Sequence, residues 1–312
     1  MMKKVLLSSA KIIFSIALVW YIVNKVDVKQ VWVSFKSVNI FWLAVAYLVH
    51  LIDYPISTFR WKILLDAQGI RLPYRRLLGS YFVGTFFTTF LPTGIGGDMI
   101  RAYDTIRWSK TAIKPIMVIF IERLSGLFVL MSIAASILLF SGVEVKETSF
   151  LIWICAVFFV LMALFLLVLL WAPLARISGR IFNLPGLNIL KKWIKEMYEA
   201  LYLYRHKTKY LGWVLLAATL LQIVVVLHYY LIGFALGIPV PLIVYFLIIP
   251  VISLLLTLPV TISGIGVRES AYVFFFSAYG VLNASALALA WLSFSFVILT
   301  AIIGAVVYTV RK

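Results

Sequence analysis

The chain is poor in charge, and poorest in negative charge. Of its 312 residues only 12% are Asp, Glu, Lys or Arg and 64% are apolar, where a soluble domain is roughly a quarter charged and half apolar. That shortage excludes a water-soluble globule. Eleven acidic residues face 28 basic ones, a formal net charge of +17. The basic residues fall between long apolar runs and build no soluble basic domain. Nucleic acid is therefore excluded as their counterpart, and they read as charge gathered along one side of a membrane. Cysteine is limited to Cys155, inside an apolar run; an intrachain disulfide framework and a Cys-based metal cluster are both excluded. A small-x-small cleavage site is also lacking. Lys3, Lys4 and Lys11 lead into the apolar run 12–23, but Asn24, Lys25, Val26 and Asp27 follow it, so this run is expected to be an uncleaved first span.

What is present is apolar length. A bilayer core of about 30 Å needs roughly 20 helical residues, and six stretches supply them: about 5–24, 40–59, 115–140, 149–171, 211–236 and 286–308. Trp20, Tyr21, Trp42, Trp153, Trp171, Trp213 and Tyr308 sit near their ends, as an aromatic belt does. Two further apolar stretches are broken by Gly and Pro. Residues 77–91 run into Pro92-Thr93-Gly94-Ile95-Gly96-Gly97-Asp98, and residues 242–258 run into Pro259, then Ser263-Gly264-Ile265-Gly266 and a short apolar run at 271–279.

Loop charge decides the threading, because Lys and Arg collect on the cytoplasmic side. With each broken stretch returning to its own face, the cytoplasmic set holds 22 of the 28 basic residues: Lys3, Lys4, Lys11, Arg60, Lys62, Arg71, Arg75, Arg76, Arg101, Arg107, Lys110, Lys114, Arg176, Arg180, Lys191, Lys192, Lys195, Arg205, Lys207, Lys209, Arg311 and Lys312. Lys25, Lys29, Lys36 and Lys146 remain outside, and Arg123 and Arg268 fall at membrane depth. The expected fold is thus an all-α integral membrane protein, one polytopic domain over 1–312 with both termini cytoplasmic. It has six spans plus two opposed re-entrant hairpins, at about 77–106 and 242–280. The tips enter from opposite faces, the arrangement of an inverted repeat whose broken helices meet near the midplane. Between residues 173 and 210, Leu190, Trp193, Met197, Leu201 and Tyr204 recur at helical spacing opposite Lys191, Lys192, Lys195, Glu196 and Glu199. This predicts an amphipathic helix on the cytoplasmic face, drawn to anionic lipid.

A charge at the bilayer centre costs about 2.5–3.5 kcal/mol, so each one needs a partner or a purpose. The candidates are Asp98 and Arg101 after the first tip, Arg268 and Glu269 after the second, Glu122 and Arg123 in the third span, and His50 and Asp53 in the second. One reading is that each carboxylate neutralises the base nearest in sequence. The other is that Arg101, Arg123 and Arg268 converge between the hairpins, oriented by Asp98, Glu122 and Glu269, with backbone N–H groups around Gly94, Gly96, Gly97, Gly264 and Gly266. Such a site suits a phosphate, which Arg holds bidentately and helix N-termini favour. His50, Asp53 and Arg60 are secondary candidates. There is no paired-Asp magnesium motif, no His-x-Glu zinc motif, and Thr93-Gly94-Ile95-Gly96-Gly97 lacks the Lys-Ser/Thr that ends a P-loop. No catalytic residue, metal ligand or cofactor is therefore assigned, and His228, alone in the fifth span, reads as a polar packing residue.

These residues bring a resemblance into view. Arg60-Trp61-Lys62-Ile63-Leu64-Leu65 with Gly69, Leu91-Pro92 with Gly96-Gly97-Asp98 and Arg101-Ala102-Tyr103, Glu122-Arg123-Leu124, and Leu258-Pro259 with Gly264-Ile265-Gly266-Val267-Arg268-Glu269 occur in this order over residues 60–269. In that ordered set the chain resembles the flippase-like membrane-domain family, the transmembrane region of lysylphosphatidylglycerol synthases and its stand-alone relatives. The resemblance implies a protein of the plasma (inner) membrane that moves an anionic or phosphate-bearing lipid, a phospholipid or a polyprenyl-linked one, between leaflets. The synthases' soluble aminoacyltransferase domain is missing, so synthesis of lysylphosphatidylglycerol by this chain is not expected. Phe87-Thr88-Thr89-Phe90 stands where relatives often carry Asn ahead of Leu-Pro. No ATP site is visible, so an ion gradient or the lipid's own gradient would drive movement. Two alternatives stand beside this reading. One is an intramembrane enzyme acting on a lipid headgroup with Glu122 or Glu269 as general base. The other is a non-transporting partner of a glycosyltransferase or lipid synthase. The oligomeric state is left open.

Overall fold

In hydrocarbon, each backbone group must find its hydrogen bond within the protein, so apolar runs of this length become helices. A computed structural model describes residues 28–90, 96–140, 148–170, 204, 207–257 and 264–311. Its helices are α1 (Val28–Lys36), α2 (Ile40–Ala67), α3 (Tyr74–Phe90), α4 (Gly96–Ser109), α5 (Ile113–Phe140), α6 (Thr148–Leu170), α7 (Thr208–Ala235), α8 (Leu242–Thr257), α9 (Val267–Ser277) and α10 (Asn283–Val310). No strand occurs among the described residues. Four helices, α2, α5, α7 and α10, are 28 residues each and apolar enough to cross a membrane. At about 1.5 Å per residue each reaches about 42 Å, longer than the hydrocarbon core. The expected first span at 5–24, Pro92, Thr93, Gly94 and Ile95 of the first hairpin tip, Pro259 and Ser263 of the second, Lys146, and the amphipathic segment apart from Tyr204 and residues 207–210 lie outside the described residues.

The element order repeats. One half reads long helix, broken pair, long helix (α2, α3 and α4, α5); the other reads the same way (α7, α8 and α9, α10). The first arm of each broken pair packs on the closing helix of the other half, α3 on α10 and α8 on α5. The opening helices α2 and α7 lie side by side and run antiparallel. Asn39 donates its backbone N–H to Ala235 O at 2.9 Å at one end. At the other, the Tyr204 hydroxyl donates to Leu64 O at 2.9 Å and Lys207 Nζ to Ala67 O at 2.6 Å, so carbonyls at the end of α2 find partners. Burial raises the Tyr204 phenol above its ordinary pKa, so it donates as a neutral hydroxyl. The two halves thus share an element order, their opening helices run in opposite directions, and their arms pack reciprocally.

Small residues let these backbones approach, as membrane helices require. A Cβ on Gly304 of α10 would strike Phe82 O of α3, and one on Gly233 of α7 would strike the Tyr245 hydroxyl of α8. The larger apolar core gathers Tyr245, Ile248, Tyr272, Phe276 and Leu289. A smaller one, with Trp61, Leu64, Leu65, Leu77 and Val118, lies where α2, α3 and α5 meet. Helix α2 runs on to Ala67, past the apolar stretch 40–59, so Arg60 and Lys62 are helical. Each finds a carboxylate that permits this: Lys62 Nζ lies 2.5 Å from Asp66 Oδ2 one turn on, and Arg60 reaches Glu122.

Candidate functional site: a buried guanidinium and carboxylate chain

Helix α4 starts at Gly96, directly after the first break, with Asp98 in its first turn, where the helix dipole favours a carboxylate. It lies hard against α3. The Gly97 N–H donates to Thr88 Oγ1 at 2.8 Å, and a Cβ on Gly97 would sit 2.6 Å from Gly84 O. That approach presses Arg101, one turn beyond Asp98, between two aromatic faces. Its guanidinium carbon is 4.2 Å from the ring centroids of both Trp61 and Tyr81.

Glu122 of α5 meets this guanidinium from the other side. Its carboxylate accepts from Arg101 Nη2 through Oε2, and from Arg60 Nη2 at 3.2 Å and the Tyr81 hydroxyl at 3.5 Å through Oε1. Arg123, the next residue along, points about 100° around the helix and pairs through Nε with Asp98 Oδ2. Asp98 Oδ1 also lies 3.5 Å from Arg101 Nη1. The result is a continuous chain, Arg60, Glu122, Arg101, Asp98, Arg123. Three guanidinium groups face two carboxylates, leaving one positive charge. Arg60, Arg101 and Glu122 are buried, and the Arg123 side chain is 46% exposed. Gly126, one turn past Glu122, makes room, since a Cβ there would lie 3.2 Å from Arg60 Nη1. Arg60 Nε and Nη1 and Arg101 Nε have no hydrogen-bond partner among the described residues. Buried donors in that condition are costly.

Of the residues singled out in the sequence, Asp98, Arg101, Glu122 and Arg123 thus come together at the α4 start with Gly96 and Gly97, and Arg60 joins them. Arg268 and Glu269 sit on the other broken pair. Glu269 Oε2 accepts the Gly266 N–H at 2.6 Å and caps α9. Gly264 (φ 77) and Gly266 (φ 87) hold left-handed backbone, which Gly adopts at no steric cost. The Arg268 guanidinium lies 4.2 Å from the Phe294 ring centroid and near the Gly264 turn. Pairing with the nearest base in sequence holds for Asp98 with Arg101, while His50 Nδ1 and Asp53 Oδ2, also three apart on one helical face, come to 3.5 Å without a hydrogen bond. It fails for Glu122 beside Arg123, because adjacent helical residues diverge.

His228 is not isolated. Its Nδ1 lies 3.5 Å from Asp53 Oδ2, which is also 3.5 Å from His50 Nδ1, and the two imidazole rings are 5.0 Å apart. His50 and Asp53 carry a spacing signal in the sequence; nothing local points from α2 to a residue in α7. A third polar group was missed altogether. Asp104 Oδ2 accepts from Ser80 Oγ at 2.7 Å and Arg311 Nη1 at 2.6 Å, tying the end of α10 to α3 and α4. Its signal was an acidic residue one turn beyond Arg101 in an otherwise basic segment. Trp61, in the sequence only a member of the Arg60–Leu65 signature, and Tyr81, in an apolar stretch, carry no mark there that their faces hold Arg101.

No curated protein and no solved structure matches the chain. The family model for the lysylphosphatidylglycerol synthase TM region matches residues 8–304. With four helices long and apolar enough to cross a bilayer, the chain is a multi-pass membrane protein with a lipid-related role and belongs to the family of the lysylphosphatidylglycerol synthase transmembrane region.

Proposed function

We propose that the protein moves a phosphate-bearing lipid between the leaflets of the plasma membrane without making or breaking a bond in it. The observation that carries this reading is the Arg60, Glu122, Arg101, Asp98, Arg123 chain, with one positive charge in excess and buried guanidinium N–H groups left over. A charge held at that depth is expensive unless an anion visits it. A phosphate answers both features, because its oxygens accept the spare donors in pairs and its charge balances the excess. Glu122 and the two rings on Arg101 keep the inner guanidinium groups fixed. Arg123, half exposed, is the member that meets the headgroup first. In this reading the α3–α4 and α8–α9 pairs are re-entrant hairpins from opposite faces and both termini are cytoplasmic. The lipid's own gradient or an ion gradient supplies the energy.

The test is a leaflet-specific assay in proteoliposomes with tail-labelled phosphatidylglycerol, paired with thermal unfolding of the same samples. Wild-type protein should speed exchange between leaflets over protein-free vesicles. Losing one charge-assisted hydrogen bond, worth about 1.5–3 kcal/mol, should slow Arg123→Gln about tenfold to a hundredfold, with little change in melting temperature. No acceleration by the wild type, or an unimpaired Arg123→Gln, would overturn the reading. A changed headgroup seen by mass spectrometry would assign the site to an enzyme instead.

A further inference from the structure

Away from the arginine chain, α2 and α7 hold a second polar cluster that lipid movement does not use. His50 and His228 are 6% and 4% exposed, and Asp53 lies between them. Both ring nitrogens of His50, Nδ1 of His228 and Oδ1 of Asp53 have no hydrogen-bond partner among the described residues. Such groups are costly in a dry interior, where each calls for a ligand. We propose that His50, Asp53 and His228 bind one divalent transition-metal ion, Zn2+ by their donor set, and that the ion clips α2 to α7 between the two halves.

Three features support it. The first is distance. An ion with tetrahedral ligands at about 2.0–2.1 Å sets neighbouring donor atoms about 3.4 Å apart. Asp53 Oδ2 is 3.5 Å from Nδ1 of each histidine, and one ligand atom from each of the three residues lies within 4.8 Å of the others. The second is rigidity. The donors stand on long helices held to each other near both ends, through Asn39 with Ala235 and through Lys207 with Ala67; sites built on such elements are positioned more closely than sites on loops. The third is chemistry. Two imidazoles and one carboxylate suit zinc and its first-row neighbours, whereas calcium and magnesium demand more oxygen donors. Two neutral imidazoles and a carboxylate leave one positive charge on the ion complex, which a hydroxide in the fourth position balances. Tyr47 and Phe296 close over His50, with ring centroids 6.2 and 5.9 Å away, and Tyr229 packs 4.2 Å from His228, an apolar shell that limits water.

The experiment uses full-length protein purified on a tag without histidine, stripped with EDTA and dialysed against Zn2+. Elemental analysis should return about one Zn2+ per chain, with a higher melting temperature than the stripped protein, since a ligand that binds only the folded state stabilises it. Asp53→Asn and His228→Gln should each weaken Zn2+ binding more than about a hundredfold, beyond the roughly 10–100-fold cost of losing an outer-shell partner. Should these variants fail to fold, Co2+ added to stripped wild type still decides the matter. Strong visible ligand-field absorption, abolished by EDTA, supports a low-coordinate nitrogen and oxygen site. No metal uptake by the wild type, a weak octahedral Co2+ spectrum, or full Zn2+ retention by folded Asp53→Asn would overturn the proposal. So would a melting temperature that responds to pH and not to Zn2+, which would give the triad to protons.

Discussion

The two broken helix pairs share a sequence echo, Gly-Ile-Gly after a proline, and use it differently. In the first, Asp98 precedes Arg101 by three residues, so both lie on one face of α4 and can recruit Glu122, Arg123 and Arg60 from two other helices. In the second, Arg268 and Glu269 are adjacent and diverge. Glu269, three residues after Gly266, folds back on that residue's N–H, and Arg268 turns to the face of Phe294. The two pairs share an element order and a sequence echo, and the register of charge at the start of each second arm decides its chemistry. One pair holds an ion network whose members depend on each other. In the other, Glu269 caps a helix start and the Arg268 guanidinium lies against the Phe294 ring.

If that contrast is right, the largest effect falls on Glu122. Glu122→Gln leaves Arg60 and Arg101 buried with no counter-charge nearer than Asp98, and breaking a buried pair this way costs about 3–5 kcal/mol. Glu269→Gln removes only a cap, about 0.5–2 kcal/mol, and keeps an amide oxygen that can still accept from Gly266. Thermal unfolding of both variants in one detergent measures the gap. Equal losses would mean that the second pair also rests on an ion network.

The glycines sharpen the comparison at the next scale. In the first pair the constraint is contact: a Cβ at Gly97 would lie 2.6 Å from Gly84 O, so Gly97→Ala must push α4 off α3, at about 1–3 kcal/mol. In the second it is conformation, since Gly266 at φ 87 would cost an L-residue about 1–2 kcal/mol. The two substitutions should differ in their effect on Arg101. Displacing α4 should loosen Arg101 from Trp61 and Tyr81, seen as altered tryptophan fluorescence, while Gly266→Ala should leave that signal unchanged.

How much of this was legible before the structure depends on how local each feature is. The long helices are written in apolar runs, and among the described residues their bounds differ from those runs by only a few residues except at α2. There the tie of Arg60 to Glu122 stayed hidden because Glu122 is far away in sequence. The same reason hid the His228 contact with Asp53 and the tie from Arg311 to Asp104. Within the arginine chain, Asp98 with Arg101 could be read from an i,i+3 spacing. The pairing of Glu122 with two arginines could not, because it depends on how α2, α4 and α5 are set against one another. Trp61 and Tyr81 were hidden for a different reason: an aromatic residue in an apolar helix carries no mark that its face will hold a cation.

The smallest effect concerns the one described ion pair between the halves outside the core. Arg311, just past α10, donates to Asp104 of α4 at 2.6 Å with 28% of its side chain exposed. The pair is open on the arginine side only, the Asp104 side chain being 6% exposed, so its loss falls at the upper end of the exposed-pair range, about 1 kcal/mol. Asp104 also keeps its bond from Ser80 at 2.7 Å when the arginine is lost, so no buried carboxylate is stranded. Arg311→Gln should therefore lower the melting temperature slightly, and the difference from wild type should shrink as salt rises, because exposed charges are screened over about 8 Å at physiological ionic strength. Glu122→Gln should show no such convergence, since its partners are out of reach of mobile ions. A salt titration of the two variants side by side separates the cases. If the Arg311→Gln loss matched that of Glu122→Gln and persisted in high salt, the end of α10 would have to be counted as part of the buried ion network rather than as a surface tie laid over it.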